Sequence, residues 1–238
     1  MIDATSRSRE TADRVKNHYM DRKRISVGTN NLEAIVEADE IYLAVKPGEA
    51  KQVCEELSAK LTVHQNVIST MAGVPIRSLQ KWLNHEYVMR IMPTVNIDGP
   101  IVVYNPRELD ACLYGKNFYH IRVKTEKELD ASTAVSGCMP GFLAYILEAW
   151  IDEAVKLGMK HDDVVSILRR NLVTFPARWG YTSKSLAEIR ARVTSKDGAT
   201  ERGIEALKAH RLNEMLGAML RDADNRVNVL AHKFRHDE

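Results

Sequence analysis

The sequence predicts an α/β domain followed by an all-helical domain, and its patterning changes once along the chain to say so. From residue 1 to about residue 124, short β-branched apolar runs alternate with helical stretches. After Thr125 the strand signal stops and apolar residues recur at helical spacing. With 238 residues, 45% hydrophobic and 28% charged, the chain can build two modest cores, and we place the boundary near Lys127, giving domains 1–127 and 128–238.

Strands are expected at 2–5, 25–27, 41–45, 67–71, 88–92, 101–104 and 119–123. Helices are expected between them at 8–19, 31–38, 49–59 and 76–82. Asn30 with Glu33 three residues on has the form of a helix-starting pair. The second half reads as helices at 126–135, 141–157, 162–178, 185–193 and 200–233, with Gly158 as a C-cap and Ser185 with Glu188 as another capping pair. The segment GFLAYILEAWIDEAVKLG is apolar around most of its circumference and should be buried on more than one side. A second subunit is the favoured cover, which makes a homodimer or higher homo-oligomer through the helical half; neighbouring helices of the same chain are the alternative.

Composition excludes several classes. The net charge of +2 is spread through mixed-sign segments without a basic block, so no nucleic-acid partner is expected. No apolar run approaches the roughly 18 residues of a membrane span, and the start MIDATSRSRETADR is too polar for a signal peptide. A cytoplasmic protein without a membrane partner is therefore expected. Cys54, Cys112 and Cys138 are far apart and read as reduced thiols. The histidines show no metal-ligand spacing, and a G-x-S-x-G elbow is absent.

Five ordered segments carry a resemblance: ADEIYLAVKP (38–47), STMAGVPIRSLQKWL (69–83), VMRIMP (88–93), LDASTAVSGCMPGFLAYILEAWIDEAVKLGM (129–159) and VTSKDGATERGIEAL (193–207). In that order and spacing they resemble pyrroline-5-carboxylate reductases, which reduce a cyclic imine carboxylate to proline with NADPH or NADH in proline biosynthesis. The resemblance implies a Rossmann-like N-terminal domain and an all-helical C-terminal dimerisation domain. It also implies that the loops after two strands run along the dinucleotide, so that Ala44, Val45, Lys46 and Ala72 contact the cofactor. Asn31 matches a family asparagine beside the adenosine. Ser6 and Arg7, with Arg9 nearby, follow a short strand where such folds read the ribose, and they suit a 2′-phosphate, favouring NADP over NAD. Solvated arginines in a helix's first turn are the competing reading.

In the helical half, Val193, Thr194, Ser195, Gly198, Ala199 and Thr200 match the family's substrate loop, where backbone N–H groups close on a carboxylate. Thr200 matches the hydroxyl beside the imine nitrogen, a hydrogen-bond donor or proton relay. Read locally, Thr200 is the N-cap of the last helix.

The chain departs from the family in places. It begins directly at what resembles the second strand, and no G-x-G-x-x-G/A pattern occurs in it, so the first βα unit is missing and dinucleotide binding should be poor. An upstream start, a natural truncation and a sheet completed by another chain are all compatible with that beginning. Pro93, Thr94, Val95 and Asn96 replace P-N-T-P; Cys138, Met139 and Pro140 replace S-G-P; Lys196 and Asp197 stand where Pro and Gly are favoured. These leave open a non-catalytic dimeric relative with a binding or regulatory role, and a reductase of a different cyclic imine.

Overall fold

The computed structural model describes residues 1–19, 24–94, 99–109, 119–180 and 185–235. In chain order the first part runs β1 (Ile2–Thr5), α1 (Arg9–His18), β2 (Ile25–Gly28), α2 (Asn31–Ala34), β3 (Glu40–Leu43), a 3-10 turn at Pro47–Glu49, α3 (Ala50–Ser58), β4 (Asn66–Ser69), α4 (Ile76–Leu83), β5 (Val88–Met92), β6 (Ile101–Tyr104) and β7 (His120–Arg122). All seven expected strands form. The rest is helical: α5 (Glu126–Ser132), a π turn at Thr133–Gly137, α6 (Met139–Lys156), α7 (His161–Gly180), α8 (Leu186–Arg192), α9 (Ala199–Ala209) and α10 (Leu212–Arg235).

The strands make two sheets. β1 and β2 pair in parallel from Ile2↔Ile25 to Thr5↔Gly28, and β3-β4-β5-β6-β7 form the other, parallel except between β5 and β6. The doubly wound order would bridge them with a central strand that is not among the described strands. The Gln65 amide donates to the carbonyls of Ile35 at 2.5 Å and Ala38 at 2.8 Å, tying the end of α2 to the turn before β4.

The larger sheet holds the core. All five residues of β5 are buried, as a central strand's near-continuous apolar run should be. α3 buries Ala50, Cys54 and Leu57 on one stripe, and α4 buries Ile76, Leu79, Trp82 and Leu83. Each large side chain there removes enough apolar surface to contribute about 2 kcal/mol. α4 ends at Asn84 in the left-handed region, φ 49°. By contrast, neither β1 nor β2 has a buried residue, and α1 buries Ala12 alone.

By compactness, residues 1–137 with 223–238 form one unit and 138–222 the other. So α5 and the end of α10 belong with the sheet rather than with the helices after Gly137. In that first unit Trp82 meets Phe234 edge-on at 6.0 Å, and Ser78 Oγ donates to the Phe234 carbonyl.

Several expectations need correction. α2 stops at Ala34, short of residue 38. The expected last helix is two, because Arg211 adopts φ 57° after His210 caps α9, and its guanidinium holds Glu214 at the start of α10. Gly198, not Thr200, is the N-cap of α9. One helix, Glu126–Lys156, is long and apolar enough to cross a membrane by length and composition, contrary to the expectation that none would be. The apolar runs on either side of Gly137 are individually short, and the π turn joins them. Nor is α6 buried on more than one side within the chain: no residue of it is buried, and Tyr145 is 75% and Trp150 60% exposed. Gly158 at φ 98°, and Ser185 with Glu188, do cap as expected. Cys54 and Cys138 are free thiols, while Cys112 lies outside the described residues.

Candidate active site

The carboxyl ends of the parallel strands position the predicted dinucleotide contacts. Ser6 and Arg7 follow β1, Asn31 opens α2 just beyond β2, Ala44, Val45 and Lys46 follow β3, and Ala72 follows β4. Parallel pairing puts the ends of β1 and β2 side by side, and those of β3 and β4 likewise.

Local chemistry then joins the two sets. Asn30 caps α2 by accepting from the amides of Leu32 and Glu33, which leaves Asn31's side chain free of capping duty. Its Oδ1 accepts from Thr5 Oγ1 at 2.7 Å and its Nδ2 approaches both Glu56 carboxylate oxygens at 3.3 Å. Arg7 is 87% exposed and pairs with Glu49 at 2.6 Å, linking the end of β1 to the start of α3. Such a surface pair holds little energy, so the guanidinium can exchange partners. Ser6 anchors that loop through its amide to the Gly28 carbonyl at 3.0 Å. Ala44 and Lys46 are exposed and Val45 half-buried; Lys46 precedes the Pro47–Glu49 turn and its carbonyl accepts from the Glu49 amide.

The loop after β4 is more tightly held. Ala72 is half-buried against Met92, Val102 and Leu129. Beside it Gly73 stands at φ 71°, and a Cβ there would come within 2.8 Å of the Val227 carbonyl and 3.1 Å of the Ala231 amide on α10. Only glycine fits both the dihedral and the space.

The sequence holds no glycine-rich turn for a pyrophosphate beside these positions. The cavity of about 590 Å³ along β1, β2 and α2 does not replace it. Asp3, Glu33 and Glu37 line that cavity, the wrong sign for a phosphate.

The second unit carries the predicted substrate residues on one exposed loop between α8 and α9. Val193 C-caps α8, and Thr194 Oγ1 donates to the Arg190 carbonyl at 2.8 Å. Ser195 to Gly198 form a turn closed by the Gly198 amide on the Ser195 carbonyl at 3.0 Å. Asp197 takes φ 59° there, the left-handed geometry that a glycine adopts at lower cost. A Cβ on Gly198 would collide with Ser195 Oγ. Gly198 makes no side-chain cap hydrogen bond to the first amides of α9, and the Glu201 carboxylate in that first turn accepts from the Asp197 amide at 2.6 Å. Thr200 is exposed.

Among the departures, Met139 opens α6 and is 48% exposed, and Val95 and Asn96 lie outside the described residues. Sequence reasoning passed over Arg90, buried in the middle of β5 between Glu126 and Asp130. A lone arginine inside the apolar run VMRIM was the available signal. Among the described residues no group of three or more His, Cys, Asp or Glu is placed to hold a metal ion.

Comparison with known proteins bears on all of this. A family model described as pyrroline-5-carboxylate reductase dimerisation matches residues 126–230, and one described as NADP oxidoreductase, coenzyme F420-dependent, matches residues 1–73. The pyrroline-5-carboxylate reductase of Pseudomonas aeruginosa is 31% identical over 222 residues, covering 88% of this chain and 81% of that protein. The one from Glycine max is 28% identical over 194 residues, covering 77% and 70%. A pyrroline-5-carboxylate reductase structure from Coxiella burnetii superposes with a TM-score of 0.81 at 26% identity, covering 97% of this chain and 88% of that one. The fold is also shared with a Plasmodium falciparum pyrroline carboxylate reductase solved with NADP bound, at a TM-score of 0.82, 17% identity and 97% coverage of each chain. With its Rossmann-like strand order, its helical C-terminal half and a relative this similar, the chain belongs to the pyrroline-5-carboxylate reductase family.

Proposed function

We propose that this protein reduces 1-pyrroline-5-carboxylate to proline, with a nicotinamide dinucleotide supplying the hydride to the imine carbon. The observation that carries the reading is the row of predicted cofactor residues at the carboxyl ends of β1 to β4, in a chain with 31% identity to a reductase of that name. Ser6 and Arg7 favour NADPH over NADH, since a guanidinium and a hydroxyl together suit a 2′-phosphate. Asn31 holds the adenosine side, and Ala44, Val45, Lys46 and Ala72 border the rest.

The loop from Val193 to Thr200 takes the substrate. Its carboxylate lies against the amides of Ala199 and Thr200, and the Thr200 hydroxyl donates to the imine nitrogen. Small side chains at Ser195 and Gly198 let the backbone close around a five-membered ring. The exposed apolar face of α6, with Tyr145, Trp150 and Leu157, is covered by a second copy, so the working form is a homodimer or larger homo-oligomer. Covered in that way, the Glu126–Lys156 helix needs no bilayer, and the protein is cytoplasmic.

The test is NADPH oxidation by this chain with pyrroline-5-carboxylate and a panel of other cyclic imines. We expect turnover with pyrroline-5-carboxylate at a raised KM for NADPH, because no glycine-rich turn holds the pyrophosphate, and slower turnover with NADH. Turnover only with another imine would move the substrate assignment. Neither turnover nor NADPH binding by calorimetry would mean a non-catalytic relative.

A further inference from the structure

We propose that Arg90, Glu126 and Asp130 act as a clamp that positions the loop between β4 and α4, and with it Ala72, for the dinucleotide. This rests on the functional reading above.

Arg90 lies in the centre of β5 with its side chain 1% exposed. Its Nη1 donates to Glu126 Oε1 at 2.7 Å. Its Nη2 donates to Asp130 Oδ1 at 2.7 Å and to the Met71 carbonyl at 3.2 Å. Glu126 Oε1 in turn accepts from the Ile76 amide at 2.8 Å. One ionic group therefore holds both ends of the segment from Met71 to Ile76. Glu126 and Asp130 reach it together because they are four residues apart on one face of α5. In the middle of that segment Gly73 is seated against the α10 backbone. Ala72 is left between two fixed points.

Stability alone does not call for this arrangement. Val88, Met89, Ile91 and Met92 make the remainder of β5 apolar and buried, and an apolar side chain at position 90 would complete it. Buried ion groups rarely outperform such packing, whereas they fix geometry well when their hydrogen bonds are directed. Here they are directed at loop backbone. Lysine could not reproduce the effect, because a single ammonium lacks the planar fork that spans two carboxylates and a carbonyl. The three side chains are positioning residues: they act on the cofactor through the loop.

Two substitutions test the clamp in the full chain. Glu126→Gln keeps the size and the Ile76 acceptor but removes the charge. Glu128→Gln makes the same change on the same helix, where the carboxylate accepts instead from the amides of Lys124 and Thr125. Hydrogen exchange at the Ala72 to Leu79 amides should accelerate about tenfold in Glu126→Gln, the equivalent of one charge-assisted hydrogen bond, with β3 and β6 unchanged. The KM for NADPH should rise by about the same factor while the KM for the imine stays put. Glu128→Gln should do neither, and Arg90→Lys should follow Glu126→Gln. Uniform acceleration across the sheet, an equal response to Glu128→Gln, or no response at the loop would overturn the clamp. Exchange needs no turnover, so a chain that failed to reduce the imine would still decide the question.

Discussion

The sheet unit and the helical unit solve the problem of apolar surface in opposite ways. Around β3 to β7 the chain covers itself: Val67, Ile68, Val74, Leu79 and Met89 are fully buried, and α3 and α4 close the outer face. In 138–222, Val164 is the one buried hydrophobic side chain among the described residues, while Tyr145, Trp150, Leu157, Val173 and Phe175 lie open. The larger sheet is covered by this chain's own helices. The second unit leaves an apolar surface open, of the kind that a second copy of the chain covers in our proposal.

That contrast can be broken by substitution. Trp150→Asp, on a side chain 60% exposed, should leave helix content intact yet cost about 2 to 4 kcal/mol of association, read as a shift to monomer in light scattering. Leu79→Ala, at a position with no exposure, should do the reverse: about 3 kcal/mol lost in urea unfolding with the oligomer unchanged. Equal effects of both on assembly would abolish the distinction.

Smaller effects sharpen the picture of the sheet unit. Gly73→Ala should cost about 2 kcal/mol, from the left-handed dihedral and the clash with the Val227 carbonyl. Burial pushes the Cys54 thiol up from 9.0 to about 12. The folded state then keeps a proton that the unfolded chain gives up, so stability is intact below pH 9 and falls above it by about 1.4 kcal/mol per pH unit. Unfolding free energies from urea titrations should fall by about 1.4 kcal/mol in all between pH 8 and 10, and Cys54→Ala should remove that loss. In the substrate loop, Asp197→Gly relieves a left-handed residue and should gain up to about 1 kcal/mol in thermal unfolding.

These regions also differ in how far the sequence discloses them. Every strand is legible, because β-branched runs bounded by turns have no other good use. So are strand ends such as AVKP and TMAG, which announce where loops begin. The caps at Asn30 and Ser185 are local and readable for the same reason. What stays hidden depends on residues that meet only after folding. Arg90 finds Glu126 and Asp130 from a distant helix, and the need for glycine at position 73 comes from α10, which returns from the end of the chain. The break between α9 and α10 hides for another reason: no Gly or Pro marks it, and Arg211 accepts the strained dihedral with Glu214 as its partner. As for α6, its apolar circumference is plain in the sequence, but among the described residues nothing buries it.

The central claim is that a nicotinamide dinucleotide lies along the carboxyl ends of β1 to β4. Hydrogen exchange of this chain with and without NADPH tests it most directly. Protection gathered at the amides of Asn31, Ala44 to Lys46 and Met71 to Gly73 is the predicted result. Protection elsewhere with those loops unaltered at saturating NADPH would contradict it.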